Sequence, residues 1–241
     1  MQGDPMSSGL NLSEGDLINN KYEVVGRLGG GWEGEVYLTR ERITGIERTA
    51  KFFYPNRNKG NKIANLYAQK LHRLRETPAI IQYHNLETVD FDGTKVTCLL
   101  SEFVHGELLS AYVAKHGGRL HSFQALAIFY HMVKALEGIH DANEYHGDLH
   151  SDNIFVLQQG THFKVKFIDF YFYQAPIGEM KRRDLTELVK IFYELIGGIA
   201  HYRDQPQYVK DICCGLKDSL IIKKFKNATG LRQAIEALEW T

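Results

Sequence analysis

The sequence has few cysteines, no excess of either charge and no long apolar run. Its three cysteines are odd in number and lack metal-ligand spacing, which fits reduced thiols in a cytoplasmic protein. Because 29 Lys and Arg balance 29 Asp and Glu, the net charge indicates neither a nucleic acid nor a membrane surface as the main partner. A membrane span needs ~20 consecutive apolar residues. The best stretch, residues 191–200, is half that length and contains Glu194, so no span is expected.

Three segments differ in their residue pattern. Residues 1–18 are largely polar, contain Gly, Ser and Pro, and predict a flexible leader without the features of a signal peptide. Residues 19–101 carry short β-rich runs around one helical stretch, which predicts a small, mainly β lobe. Residues 102–241 predict a helical lobe that contains a hairpin. The runs predict strands at 22–28, 35–39, 48–53 and 95–100, helices at 63–74, 122–140 and 184–196, and a hairpin at 154–168.

Residues 29–36, with the sequence GGGWEGEV, lie between two predicted strands. Glycine lets the backbone turn tightly and bring N–H groups close to phosphate oxygens. The G-x-G-x-x-G pattern is weak evidence by itself, because a glycine-rich hairpin turn often has no ligand. A dinucleotide-binding fold would place a helix after the last glycine, whereas this chain returns as a strand. The context therefore favours a phosphate-binding loop of the kinase type.

Lys51 lies fifteen residues beyond Val36, within the β-branched and aromatic run TAKFF. A lysine on an edge strand, with its ammonium in solvent, is the ordinary explanation. Because the glycine loop lies upstream, a lysine that binds the α- and β-phosphates is the better hypothesis.

The strongest signal is HGDLHSDN at residues 146–153, followed by the predicted hairpin and then by Ile-Asp-Phe at 168–170. Phosphoryl transfer needs a base that orients the acceptor and oxygen ligands for Mg²⁺. Asp148 is the candidate base, and Asn153 and Asp169 are the candidate metal ligands. The hairpin should return Asp169 to the neighbourhood of Asn153.

Taken together, these motifs resemble the eukaryotic-like Ser/Thr protein kinase superfamily, particularly its bacterial members, over most of the chain. The resemblance implies an α+β fold of two lobes, with ATP and Mg²⁺ as cofactors. It implies that Asp148 and Lys51 are catalytic, that Asn153 and Asp169 bind Mg²⁺, and that Asp184 ties its helix to the catalytic loop. The implied nucleotide-binding residues are Leu28, Gly29, Gly31, Gly34, Val36, Lys51, Glu102, Val104 and Phe155. Of these, Val36 and Phe155 would sandwich adenine, and the backbones of Glu102 and Val104 would face it beside Ser101, the gatekeeper.

The sequence departs from the kinase pattern in several places. Kinases usually pair the strand lysine with a helix glutamate, yet no acidic residue lies between Glu47 and Glu76, so Gln69, another polar group or Asp169 must orient Lys51. Gly147 replaces the arginine that grips a phosphorylated activation segment, so control by such phosphorylation is not expected. Only residues 170–183 separate Asp169 from Asp184, which implies a shortened activation segment and a truncated platform for peptides.

Residues 48–75 are strongly basic. A basic helix face is most often only solvated, but this one is a candidate docking surface for a protein substrate or an acidic partner. On that hypothesis Lys62, Lys70 and Arg73 lie on the exposed surface.

Three functions remain open at this point. A minimal, atypical Ser/Thr protein kinase ranks first. HGDLHSDN with a short following segment also resembles small-molecule phosphotransferases of the aminoglycoside and choline kinase type. A nucleotide-binding pseudokinase scaffold is the third alternative, favoured by the missing helix glutamate and opposed by the intact Lys51, Asp148, Asn153 and Asp169.

Overall fold

The structure is a computed structural model that describes residues 10–91 and 93–239. Contacts between Cα atoms divide the chain into two compact units. The first contains the chain up to Arg75 and residues Ile81–Val104, and the second contains Glu76–Ile80 and the chain from His105 onward. The first unit is dominated by β-strands and the second by helices, as the sequence predicts.

An antiparallel sheet of six strands, in the order β1-β2-β3-β4-β6-β5, forms the first unit. The strands are β1 (Leu17–Ile18), β2 (Tyr22–Gly30), β3 (Gly34–Glu41), β4 (Glu47–Phe53), β5 (Tyr83–Phe91) and β6 (Thr94–Glu102). One helix, α1 (Lys62–Arg73), lies between β4 and β5 in the chain. Phe52 is fully buried and packs edge-on against Tyr37 and Phe91, each with ring centroids 5.8 Å away. The aromatic and β-branched residues that predict strands thus form one face of a core.

The predicted leader extends into this sheet. Ile18 pairs with Tyr22 across β1 and β2 and is fully buried, and Leu10 and Leu12 pack against the same core. Residues 1–9 of the predicted leader lie outside the described residues. Ile18 gives this stretch a structural role, because a fully buried aliphatic side chain contributes about 1.5–3 kcal/mol, and the partly buried Leu10 and Leu12 add to it.

Strand β5 has no counterpart in the sequence prediction. It occupies an edge of the sheet and pairs only with β6 among the described strands. Its sequence, YHNLETVDF, is mostly polar because an edge strand needs few buried side chains, and Val89 is the one residue in it that is buried.

The second unit contains a small sheet and seven helices within the described residues. Its strands β7 (Glu107–Leu108), β8 (Ile154–Gln159) and β9 (His162–Phe167) pair in that order. The β8–β9 hairpin turns at Gly160, where φ is +62°, as predicted. The helices are α2 (Leu109–Lys115), α3 (Ser122–Asp141), α4 (Ile177–Leu195), α5 (Ile199–Tyr202), α6 (Gln207–Cys213), α7 (Asp218–Phe225) and α8 (Ala228–Glu236).

Helices α3 and α4 form the centre of this unit. Phe129 and Phe192 stack with ring centroids 4.4 Å apart, and the apolar stripes predicted for both helices are buried. Helix α4 begins at Ile177, seven residues before the predicted start. The first two turns were not predicted because they are mostly charged and lack the periodic apolar residues of an amphipathic helix. Met180 is the buried residue in these turns.

No helix among residues 10–91 and 93–239 combines the length and apolarity that a membrane span requires. The three cysteines are free thiols, and Cys98 and Cys213 are buried. Burial raises the pKa of both thiols, that of Cys213 to about 12, which keeps them protonated and unreactive.

Candidate active site

The glycine loop is the turn between β2 and β3. Gly31 donates its N–H to the carbonyl of Gly34 at 2.9 Å, and Tyr54 donates its N–H to the carbonyl of Glu33 at 2.9 Å. A Cβ on Gly34 would lie 1.7 Å from the carbonyl oxygen of Phe52, so no side chain fits there, whereas Gly29 and Gly31 border open space. Packing therefore requires glycine at position 34, whereas no neighbouring atom excludes a side chain at positions 29 and 31.

A buried carboxylate supports the end of this loop. Glu35 is 4% exposed and accepts hydrogen bonds from the hydroxyls of Tyr37 at 2.5 Å and Tyr54 at 2.9 Å. Arg27 on β2 lies 3.8 Å from the same carboxylate. Burial and the hydrogen bond to Glu35 raise the pKa of Tyr37 to about 12. The start of β3 is thus fixed to β2 and to the segment after β4.

Lys51 lies on β4, which is an interior strand between β3 and β6. Its neighbours in register are Val36 and Leu99, and its side chain is only 13% exposed. An edge lysine in open solvent is therefore excluded. The ammonium instead lies 3.2 Å from the Glu33 carboxylate and 4.9 Å from the centre of the Tyr67 ring.

Glu33 was missed as a partner of Lys51 when only the sequence was considered. Gln69, one of the predicted substitutes for the helix glutamate, is exposed on α1, and buried Tyr67 is the α1 residue beside Lys51. One feature of the sequence could have indicated Glu33 as this partner. An acidic residue is unexpected in a loop that is predicted to bind phosphates, because its carboxylate would repel them.

The segment after β6 contains the remaining predicted nucleotide contacts of the first unit. Ser101 is 3% exposed. Glu102 donates its N–H to the carbonyl of Gln82 at 2.9 Å, and its carboxylate accepts the Gln82 N–H at 3.0 Å. The Glu102 carbonyl accepts the Ser101 hydroxyl at 3.5 Å. Val104 follows in a loop, Leu28 is about half exposed at 49%, and Phe155 lies on β8 in the second unit, opposite Leu108.

The predicted base and one predicted metal ligand meet in the loop before β8. The Nδ2 of Asn153 donates to the carbonyl of Asp148 at 2.9 Å and to its carboxylate at 3.2 Å. The same Nδ2 lies 2.8 Å from the Nε2 of His150, which is itself 3.6 Å from the Asp148 carboxylate. The Asp148 side chain is 48% exposed. A carboxylate that is both held in position and open to solvent suits a base that receives a hydroxyl proton.

A buried aspartate on α4 fixes this loop. Asp184 is fully buried and accepts the N–H groups of His146 at 2.6 Å and Gly147 at 2.9 Å. Its carboxylate also lies 3.4 Å from the Nε2 of His140 on α3. The prediction that Asp184 ties its helix to the catalytic loop is confirmed.

Asp169 follows the hairpin in an uncommon backbone conformation. Its φ is +54°, in the left-handed region that a non-glycine residue enters at a cost of about 1–3 kcal/mol. Its neighbour Ile168 donates its N–H to the carbonyl of Asn153 at 3.0 Å, and accepts from His146 Nε2 at 2.9 Å. The hairpin thus returns the backbone before Asp169 to Asn153, as predicted, and strained residues of this kind cluster at functional sites.

The donor atoms suit Mg²⁺, which prefers oxygen ligands. The hydrogen bonds of Asn153 named above use its Nδ2, which leaves Oδ1 for a cation. Within residues 10–91 and 93–239 no cluster of three or more His, Cys, Asp or Glu side chains is arranged to hold a metal by itself. A magnesium ion at Asn153 and Asp169 would therefore share its coordination with nucleotide phosphates and water.

The segment before α4 packs directly on Gly147. Here φ is +88°, and a Cβ would lie 2.8 Å from the carbonyl of Tyr171 and 3.0 Å from the Tyr145 ring. The Tyr145 hydroxyl donates to the carbonyl of Tyr173 at 3.1 Å and accepts its N–H at 2.9 Å. Arg183 lies 4.9 Å from the Tyr173 ring. The space beside residue 147 is thus filled by the segment itself.

The basic segment 48–75 does not form one surface. Arg48 lies 2.9 Å from the His84 ring, where burial and this guanidinium lower the pKa of the histidine. Arg57 stacks on Trp32 at 4.1 Å. The prediction that Lys70 lies on the exposed surface is wrong, because Lys70 is 2% exposed on the inner side of amphipathic α1. Lys62 and Arg73 are exposed, as predicted.

The chain is similar in sequence to known protein kinases. A model described as "Protein kinase domain" matches residues 22–187. The serine/threonine-protein kinase pkn2 of Myxococcus xanthus is 27% identical over 157 residues, which are 64% of this chain and 18% of that protein. The serine/threonine-protein kinase PrkC of Bacillus subtilis is 28% identical over 159 residues, 65% of this chain and 23% of that protein. This chain thus spans less than a quarter of the length of either relative.

A solved structure shares the fold. The kinase domain of Mycobacterium tuberculosis PknI superposes with a TM-score of 0.70 at 19% identity. The superposition covers 93% of this chain and 98% of that domain. The α+β kinase fold predicted from the sequence is confirmed by this likeness and by the family match.

Proposed function

Since this chain belongs to the protein kinase domain family, we propose that it is an ATP- and Mg²⁺-dependent phosphotransferase, specifically a minimal, atypical Ser/Thr protein kinase. The observation that carries the proposal is the pairing of a half-exposed Asp148 with Asn153 in a loop that Asp184 fixes by two backbone hydrogen bonds. This arrangement holds a base and an oxygen ligand next to each other, which is what transfer of a phosphoryl group to a hydroxyl requires.

The candidate site residues of the second unit each have a defined role in this proposal. Asp148 accepts the proton of the acceptor hydroxyl, and the hydrogen bond from Asn153 holds its carboxylate in one orientation. Asn153 and Asp169 would hold Mg²⁺ by their side-chain oxygens. The ion would supply positive charge that offsets the negative charge on the phosphate oxygens during transfer of the γ-phosphoryl group.

The first unit binds the nucleotide in this proposal. The glycine loop covers the phosphates at Gly29, Gly31 and Gly34, and Lys51 contacts the α- and β-phosphates. The Glu102 carbonyl and the Val104 backbone face adenine. Leu28 and Val36 supply apolar contacts to the base.

A protein acceptor is favoured because the curated relatives named above are serine/threonine-protein kinases. A small-molecule acceptor is the second candidate. The observation that favours it is the short segment between Asp169 and α4, which is bound to Tyr145 and offers little platform for a peptide. A protein partner or substrate at the exposed Lys62 and Arg73 belongs to the first candidate.

The test is incubation with γ-labelled ATP and Mg²⁺, with general protein substrates in one reaction and hydroxylated metabolites in another. Asp148→Asn should lower phosphotransfer by ~10²–10⁴-fold while it leaves ATP affinity nearly unchanged, because the base matters chiefly in the transition state. Asp141→Asn, the same change at an exposed residue ending α3, is the matched control. Binding of Mg·ATP without any transfer would favour the scaffold, and unchanged turnover in Asp148→Asn would contradict the assignment of the base.

A further inference from the structure

We propose that Glu33, on the glycine loop, is the positioning residue for Lys51 and takes the place of the acidic partner that helix α1 lacks. This role rests on the proposed function, which assigns Lys51 to the phosphates of ATP. The carboxylate of Glu33 lies 3.2 Å from the ammonium, and the two side chains are 26% and 13% exposed. An ion pair shielded to this degree from water is stronger than one on an open surface.

The surroundings of Lys51 on the helix side are aromatic. The Tyr67 ring of α1 lies 4.9 Å from the ammonium, and the Phe53 ring lies 5.5 Å away. Tyr67 is 2% exposed, and none of the twelve residues of α1 is acidic. Aromatic faces attract a cation but do not fix its direction as a carboxylate does. The Glu33 carboxylate supplies such a directional contact.

Two further contacts fix the loop around Glu33. Its carbonyl accepts the Tyr54 N–H at 2.9 Å, three residues beyond Lys51 in the chain. Its neighbour Trp32 stacks on Arg57 at 4.1 Å. The carboxylate then completes the connection at Lys51. Trp32 and Glu33, at the tip of the glycine loop, are therefore attached to β4 and to the segment that follows it. The ion pair thus belongs to an ordered turn.

The geometry distinguishes positioning from blocking. A lysine ammonium has three N–H donors, and the contact with Glu33 uses one of them. Because one ion pair does not exhaust a lysine ammonium, a carboxylate can hold the side chain extended while the ammonium also contacts phosphate oxygens. If Glu33 instead competed with phosphate for Lys51, removal of its charge would strengthen nucleotide binding, so the two roles predict opposite results.

The first experiment measures the chemical reactivity of the Lys51 amine and does not depend on catalysis. Wild type and Glu33→Gln, without nucleotide, receive a limiting amount of N-hydroxysuccinimidyl acetate, and mass spectrometry of peptides gives the acetylation rate of Lys51 relative to exposed Lys95. Loss of the ion pair should raise this ratio about fivefold. Glu23→Gln, the same change at an exposed position of β2, should leave it unchanged. An unchanged ratio in Glu33→Gln would overturn the proposal.

The second experiment moves the carboxylate to the helix. Glu33→Gln should lower kcat roughly tenfold and change the Kd for Mg·ATP by less than about threefold. Tyr67→Glu in the Glu33→Gln background places a carboxylate on α1 beside Lys51, and should restore both the acetylation ratio and most of kcat. Tighter binding of Mg·ATP and faster turnover in Glu33→Gln would show that Glu33 blocks the site, and would overturn positioning.

Two controls keep the outcomes separate. Tyr67 is buried, so if thermal unfolding shows that the double variant does not fold, the Glu33→Gln measurements alone decide the question. If the wild type binds no Mg·ATP in calorimetry, the proposed function fails, whereas the acetylation ratio still decides whether Glu33 holds Lys51.

Discussion

The carboxylate of Asp184 accepts the backbone N–H of His146 at 2.6 Å, which joins α4 to the loop that carries Asp148. Asp184→Asn would set an amide NH₂ against one of the two N–H groups that the aspartate now accepts. We expect a loss of about 2–4 kcal/mol in the free energy of unfolding, because a buried donor then has no acceptor. Urea unfolding measures it, with Asp141→Asn as the exposed control. A loss below about 0.5 kcal/mol would contradict the role of Asp184.

Asp169→Ala and Asn153→Ala should each weaken the Mg²⁺-dependent part of nucleotide binding, because each removes one oxygen ligand. We expect at least a tenfold rise in the Kd for ATP in the presence of Mg²⁺ and a much smaller change in its absence, measured by calorimetry. Asn153→Asp retains an oxygen and should keep the dependence on Mg²⁺, and Asn65→Ala on α1 is the neutral control. Equal dependence on the metal in all variants would rule out these ligands.

Gly34→Ala should distort the glycine loop, because the added Cβ would lie 1.7 Å from the Phe52 carbonyl oxygen. We expect a loss of about 1–3 kcal/mol in stability, as in other overpacked sites. Gly31→Ala is the matched control, since its Cβ meets no atom within 4 Å. Thermal unfolding of the two variants gives the comparison, and equal melting temperatures would show that the loop adjusts without strain.

The segment before α4 should be ordered without phosphorylation. Gly147 removes the expected arginine clamp, and the Tyr145 hydroxyl makes two hydrogen bonds to Tyr173. Phosphatase-treated protein should therefore keep its rate. Tyr145→Phe should increase hydrogen exchange across residues 170–176 by roughly tenfold, whereas Tyr193→Phe should leave it unchanged. Strict loss of activity after phosphatase treatment would contradict this prediction.

The exposed basic residues of α1 are a candidate docking surface. The double variant Lys62→Glu/Arg73→Glu should weaken binding of a polyglutamate peptide in a salt-dependent manner, with unchanged affinity for ATP. Lys70→Glu should act on stability instead, because Lys70 is buried. Fluorescence anisotropy at two salt concentrations measures peptide binding. If the double variant changes neither property, these residues are only solvated.

The sequence predicts most of the fold because the determining signals are local. Burial along α3 and α4 follows apolar spacing, and the β8–β9 hairpin follows a glycine between two apolar runs. Local signals do not predict β5, because its residues are mostly polar. Polar residues suit a strand at the edge of a sheet, and that edge position depends on the arrangement of the whole sheet. Local signals also do not predict the start of α4, because its first residues are mostly charged and show no periodic spacing of apolar residues.

The candidate site shows the same division. The motif assigns Asp148 and Asn153 to one loop, and the structure places them in hydrogen-bond contact. The partner of Lys51 could not be predicted, because Glu33 reaches it through a turn between two strands and not from the helix that the family pattern indicates. The prediction that Lys70 is exposed was wrong because a charged side chain is usually at the surface. Only the packing of α1 shows that Lys70 is buried.

Strand β1 also acts as a cover for the sheet. It pairs with the outer edge of β2, and its Ile18 fills a place in the core beside Leu10 and Leu12. A chain shortened to begin at residue 19, the start of the predicted lobe, would leave the β2 edge with unpaired N–H and C=O groups above an uncovered apolar surface. Such an edge is a template for pairing with a second chain. We therefore expect the shortened protein to self-associate at micromolar concentration, even though all the candidate catalytic residues remain.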